Sequence, residues 1–144
     1  MRQVKKIGAF AGGCMFVLTM VACSSMTSAP TIDPSVKHLQ KENAFYDRNV
    51  NAAYNHARAA EVAGGQGNNG LLVHHAQIAL GQAQEAQRTG SNVPLDDAIM
   101  SLRKSVEEGQ KNATQDAMQS AKDAREKLSH AADVRIVESV NKIS

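Results

Sequence analysis

Pro94-Leu95-Asp96-Asp97-Ala98-Ile99-Met100-Ser101-Leu102-Arg103-Lys104-Ser105-Val106-Glu107-Glu108-Gly109 is the stretch that decides the fold class. Proline suits the first position of a helix, where its missing N–H costs nothing and its φ is preset. Asp96 and Asp97 fall in the first turn, where the helix dipole favours negative charge. Leu95, Ala98, Ile99, Leu102, Val106 and Gly109 recur every three or four residues and form one apolar stripe. Such a helix buries one side and needs neighbours to bury it against.

Neighbours with the same pattern lie on both sides. Upstream, a helix over about 69–88 presents Leu72, Ala76, Ala79, Ala83 and Ala86, and Thr89-Gly90-Ser91-Asn92 stops it. Gly64 to Gly70 is a loop, preceded by a helix from about Pro34 to Val62 or Ala63, with Asp33 as its N-cap. Its stripe is Val36, Leu39, Tyr46, Val50, Ala53, Ala57 and Ala60. Downstream, Asn112 and Gln115 read as a capping pair for a fourth helix. Ala113, Ala117, Ala121, Ala124, Leu128 and Ala131 are its face, extended by Ile136, Val140 and Ile143. Four helices joined by short loops predict an all-α, antiparallel four-helix bundle over 34–144. His75-Ala76-x-x-Ala79-Leu80, Asp97-Ala98-x-x-Ser101-Leu102 and Asp116-Ala117-x-x-Ser120-Ala121 echo one another, with a weaker copy at His56-Ala57-x-x-Ala60. The bundle is therefore expected to be built from repeated helical hairpins. Phe45, Tyr46 and Tyr54 are the only aromatics after residue 22, so the core must consist of alanine and small aliphatics. Small side chains bury little area each, which predicts closely packed helices and modest stability.

The N-terminus reads differently. Arg2, Lys5 and Lys6 precede an apolar run from Ile7 to Ala22 that contains Gly8, Gly12, Gly13 and Thr19. This run is short and glycine-rich for a membrane span and suits a secretory signal over 1–22. Met20-Val21-Ala22-Cys23 resembles the lipobox of bacterial lipoproteins, in which the cysteine receives diacylglycerol before cleavage. The resemblance implies a lipidated Cys23, a flexible tether over 23–33 and a membrane partner through the lipid. It implies a periplasm-facing lipoprotein of the bacterial envelope. Ser24, rather than aspartate, favours the outer membrane over the inner. Cys14 falls inside the removed segment and Cys23 is the only other cysteine, which excludes an internal disulfide in the mature chain. The 16 basic residues would fall to 13 against 14 acids, leaving a net charge of −1. With no basic patch, nucleic acid is not an expected partner.

The repeats, with Ile99-x-x-Leu102, Ser105-Val106-x-x-Gly109 and Ala117-x-x-x-Ala121-x-x-Ala124-x-Glu126-x-Leu128, resemble the small metal-binding protein family over roughly 71–132. The resemblance implies an exported, histidine-rich four-helix bundle that binds divalent metal ions. His56 and His75 stand on the family's His-Ala pairs. Ser101, Glu108, Ala113, Ser120 and Lys127 stand where histidine is expected, so the scaffold is kept and the ligand set thinned.

Divalent copper, nickel or zinc is the implied ligand, since neutral imidazole suits all three. Donors at i and i+3 or i+4 share a helix face. Glu126, His130 and Asp133 form one such group, and His38 with Glu42 another. His74 and His75 point about 100° apart on a helix, so they reach one ion together only through a neighbouring helix. Candidate ligands are thus His56, His75, His130, Glu126, Asp133, His38 and Glu42. No glycine-rich phosphate loop after a strand and no nucleophile–base–acid set stands out, so an enzyme is not expected. The competing reading is a tethered structural or interaction module that docks other envelope proteins without metal.

Overall fold

The computed structural model describes residues 34–141, with side chains through Arg135. Four helices follow in order: α1 (Pro34–Gly65), α2 (Asn69–Thr89), α3 (Val93–Gln110) and α4 (Thr114–Asn141). Neighbours pack in the cyclic order α1, α2, α3, α4 and back to α1, with only a slight diagonal contact between α2 and α4. No strand occurs among the described residues. The arrangement is an all-α antiparallel bundle.

The two hairpins close in the same way. In the first, Gly67 N–H donates to the Gly64 carbonyl and Asn68 N–H to the Ala63 carbonyl. In the second, Asn112 N–H donates to Gly109 and Ala113 N–H to Glu108. This is a Schellman stop, which needs a left-handed residue just past the helix. Gly67 and Asn112 supply it, at φ 73° and 60°. The two hairpins are therefore copies offset by 45 positions, from Gly67 to Asn112.

That geometry corrects one sequence expectation. Asn112 does not cap the start of α4; it ends α3, and its side-chain oxygen accepts a hydrogen bond from Asn69. An asparagine between two helices can do either, because it is among the few residues that tolerate the left-handed region. Asn92 does cap α3, its side chain accepting from Leu95 N–H, and the helix begins one residue before Pro94. The proposed cap at Asp33 and the contribution of Ile143 lie outside the described residues.

The core is alanine-rich, as expected. Its largest fully buried side chains are Tyr46, Leu72, Leu95, Leu102, Leu128 and Val50. They form two clusters, one around Tyr46, Leu95, Leu102 and Leu128, the other around Leu72 and Ala117 near the hairpin turns. Val36 and Leu39, assigned to the α1 stripe by spacing, are 42% and 57% exposed. Burial on α1 begins at Tyr46. On α3 the buried position is Ser105 rather than Val106, which is only partly buried. Ser105 is tolerated there because its hydroxyl donates to the Ala117 carbonyl at 2.8 Å, and its small size lets α4 approach.

Ile32–Ser144 form one compact unit. Its two core clusters are drawn wholly from residues of the four helices. The unit thus carries the apolar burial it needs to fold by itself.

Candidate metal site

The three-residue turn after α1 fixes the register of α2 against it. That register sets His56 on α1 opposite His75 on α2. Their Nδ1 atoms lie 3.2 Å apart. The rings are stacked, with centroids 5.4 Å apart and planes at 29°. His74 flanks them, its ring centroid 5.5 Å from that of His75 and tilted by 58°. His56 and His75 are half-buried, whereas His74 is exposed. Burial, followed by the nearby His56 and then His74, lowers the pKa of His75 below its ordinary 6.5.

A depressed pKa keeps this imidazole neutral at pH 7, which is the form that ligates metal. Without an ion, the facing nitrogens share one proton, one ring donating and the other accepting. The spacing also suits ligation. Two nitrogens bound to one ion at about 2.0–2.1 Å lie roughly 2.9 Å apart at a right angle and about 3.4 Å apart at the tetrahedral angle. The observed 3.2 Å falls between these values. The separation of the two donors thus matches that expected across a shared ion. Among the described residues no group of three or more His, Cys, Asp or Glu side chains gathers to hold one.

The other candidates sit apart from this pair. Glu126, His130 and Asp133 are all exposed on α4. Glu126 lies 3.9 Å from the Arg125 guanidinium. His38 and Glu42 do meet, at 3.4 Å, with side chains 71% and 43% exposed. Cys23 lies outside the described residues.

The positions where histidine is missing have found other uses. Lys127 donates to the Ser101 hydroxyl at 2.8 Å. Ser120 donates to a Glu108 carboxylate oxygen at 2.7 Å, and Lys104 approaches the other oxygen at 3.6 Å. The polar side chains along the α3–α4 seam thus satisfy one another. On the α1–α4 seam, Arg125 binds Glu61 at 2.8 Å. Only the α1–α2 seam brings imidazoles together among the described residues.

Fold and site together define a small helical bundle with paired imidazoles on one seam. The chain belongs to the small metal-binding protein family, whose match spans residues 9–131. None of the curated proteins matches the chain.

Proposed function

We propose that this chain is a non-catalytic envelope lipoprotein that binds or sequesters a divalent ion, copper, nickel or zinc, between His56 and His75. The observation that carries this reading is the 3.2 Å separation of two ring nitrogens drawn from different helices. Family membership supports it independently. Two protein donors make a weaker holder than a full ligand set, so the site suits sequestration of an ion shared with other ligands. Export and anchoring rest on the basic start, the apolar run and the lipobox-like Met20-Val21-Ala22-Cys23. The lipid on Cys23 would hold the bundle at a membrane facing the periplasm, with Ser24 favouring the outer membrane.

Calorimetric titration of the chain from Ser24 onward with copper, nickel and zinc tests the metal reading. Saturable binding at micromolar or tighter concentration, lost in His56→Ala with His75→Ala and kept in His130→Ala, is the expected result. Binding that survives the double substitution would overturn the assignment. Absence of binding would favour a docking module for envelope proteins, for which Val36, Leu39, Val62, Leu71, Val93 and Met100 are the exposed large apolar side chains among the described residues. Anchoring is tested separately: Cys23→Ala should release the protein from membrane fractions.

A further inference from the structure

α1 carries a cationic stripe on the side turned away from the core. Lys37, Lys41, Ala44 and Arg48 follow one another at intervals of four, three and four residues, the spacing that keeps side chains on one helix face. All four are exposed. Beside the stripe runs an open groove of about 570 Å³, to which His38, Lys41, Glu42, Phe45, Arg48 and Thr89 contribute. Phe45 is half-buried there, and the Arg48 guanidinium lies over its ring, 5.4 Å from the centroid. Among the described residues, Lys37, Lys41 and Arg48 make no ion pair. The one carboxylate of the groove, Glu42, is met by His38 at 3.4 Å. Asp47 points about 100° away from Arg48 round the helix.

Three features fit a surface of anionic phospholipid. Cations without carboxylate partners, spread over about 17 Å of helix, attract headgroup phosphates, and each basic residue near such a surface strengthens binding about fivefold. An aromatic ring among the cations suits the boundary between headgroups and acyl chains. The stripe also lies close in sequence to the proposed lipid. Lys37 comes 14 positions after Cys23, a stretch that reaches at most about 50 Å when fully extended. A chain held by Cys23 therefore keeps this face within reach of the membrane, at a high effective concentration. Val93 and Met100 on α3 are also exposed, but Asp96 and Asp97 lie between them, so that face lacks the complementary charge. A second copy of the chain docked two-fold on the α1 stripe would set like charges against each other.

We infer that the α1 face of Lys37, Lys41 and Arg48, with Phe45 beside it, docks the bundle on an anionic phospholipid surface. This rests on the anchoring part of the reading above. The three cations meet lipid phosphates, and the Phe45 ring enters the layer between headgroups and acyl chains. α1 then lies along the membrane, and α3, the helix diagonal to it in the cyclic packing, faces away. Each contact is weak alone, and the tether makes the sum sufficient by returning the face to the surface after each release.

The test uses the chain from Cys23 onward, whose one thiol couples it to vesicles bearing a maleimide lipid, whether or not the cell lipidates that residue. The sequence has no tryptophan, so Phe45→Trp and Met100→Trp each provide a single reporter, read by quenching from brominated acyl chains. On vesicles containing phosphatidylglycerol, the Phe45→Trp reporter is quenched and the Met100→Trp reporter is not. On phosphatidylcholine alone, or at about 1 M salt, where the screening length falls to about 3 Å, neither is quenched. Lys37→Gln with Lys41→Gln and Arg48→Gln lowers the ratio of docked to free domain about a hundredfold, at about fivefold per charge. Lys37→Arg with Lys41→Arg retains docking, and unchanged circular dichroism shows that both variants keep the helix. Equal quenching of the two reporters, or equal quenching on the two lipids, overturns the proposal as non-specific adsorption. No quenching on either lipid overturns it as well and assigns the cations to an acidic protein partner. The anchoring reading stands or falls separately, on whether Cys23→Ala releases the protein from membrane fractions.

Discussion

The Ser120 hydroxyl on α4 donates to a carboxylate oxygen of Glu108 on α3 at 2.7 Å. Shifting the first hairpin by the 45 positions that superpose Gly67 on Asn112 brings His56 onto Ser101 and His75 onto Ser120. The second hairpin therefore holds the place of a second imidazole pair, filled by hydroxyls bound to Lys127 and Glu108. Ser101→His with Ser120→His should add one bound copper per chain, read by elemental analysis after dialysis. An unchanged copper content would show that the hairpin copies do not share the seam geometry.

Acidification should weaken both fold and metal binding through His75. Its folded pKa lies below 6.5, so between that value and 6.5 the unfolded chain binds more protons. Stability then rises with pH across this window, and the contribution is complete above about 6.5. Going down, it is lost as the pH falls through the folded pKa. His75→Gln should flatten the stability profile below pH 6.5 in urea melts. An unaltered slope would remove His75 as its source.

Gly64 and Gly109 sit where the hairpins are tightest. A Cβ at Gly64 would lie 2.7 Å from Leu72 Cδ1 and from Met118 Cβ. One at Gly109 would strike Val73 Cγ2. Alanine at either site should destabilise the bundle by about 1–3 kcal/mol, the usual cost of overpacking, despite its better helix propensity. A raised melting temperature would contradict this packing.

Tyr46 anchors the other end of the bundle. Its hydroxyl accepts from the Asn92 side chain at 2.9 Å, which also reaches the Ala131 carbonyl at 3.2 Å. The Arg135 guanidinium lies 4.2 Å from the ring centroid. Tyr46→Phe keeps the ring and the Asn92–Ala131 bond, so it should cost only about 1 kcal/mol. Tyr46→Ala, which empties the core, should cost about 3–5 kcal/mol. Similar losses in denaturant titrations would place the anchoring role in the hydroxyl rather than the ring.

Much of the fold was legible in the sequence. The α2 stripe of Leu72, Ala76, Ala79, Ala83 and Ala86 is the set that is buried, because the 3.6-residue period has one solution when small residues alternate with Gln and Glu. At α3 the same counting favoured Val106 over Ser105, since apolarity alone cannot register a hydroxyl satisfied by a carbonyl of the next helix. At Val36 and Leu39 the periodicity continued past the point where α1 buries side chains. The site was less legible. The His74–His75 divergence followed from helix geometry, and the departure of Ser101, Glu108, Ser120 and Lys127 from histidine was plain. The meeting of His56 with His75 depends on interhelical register, which a three-residue turn sets and a linear pattern does not reveal. For the same reason, the bonding of Ser101 to Lys127 and of Ser120 to Glu108 was invisible.

The two matching Schellman turns bear on how the bundle assembles. Each hairpin is closed by three residues, so the α1–α2 and α3–α4 contacts join segments close together in the chain. The α1–α4 seam and its anchors at Tyr46 and Arg125 demand the longest loop closure. Such low contact order favours folding within microseconds to milliseconds. Were the chain exported unfolded, as proposed above, each hairpin would form as it emerges and the two would dock afterwards, with little sticky surface exposed in between.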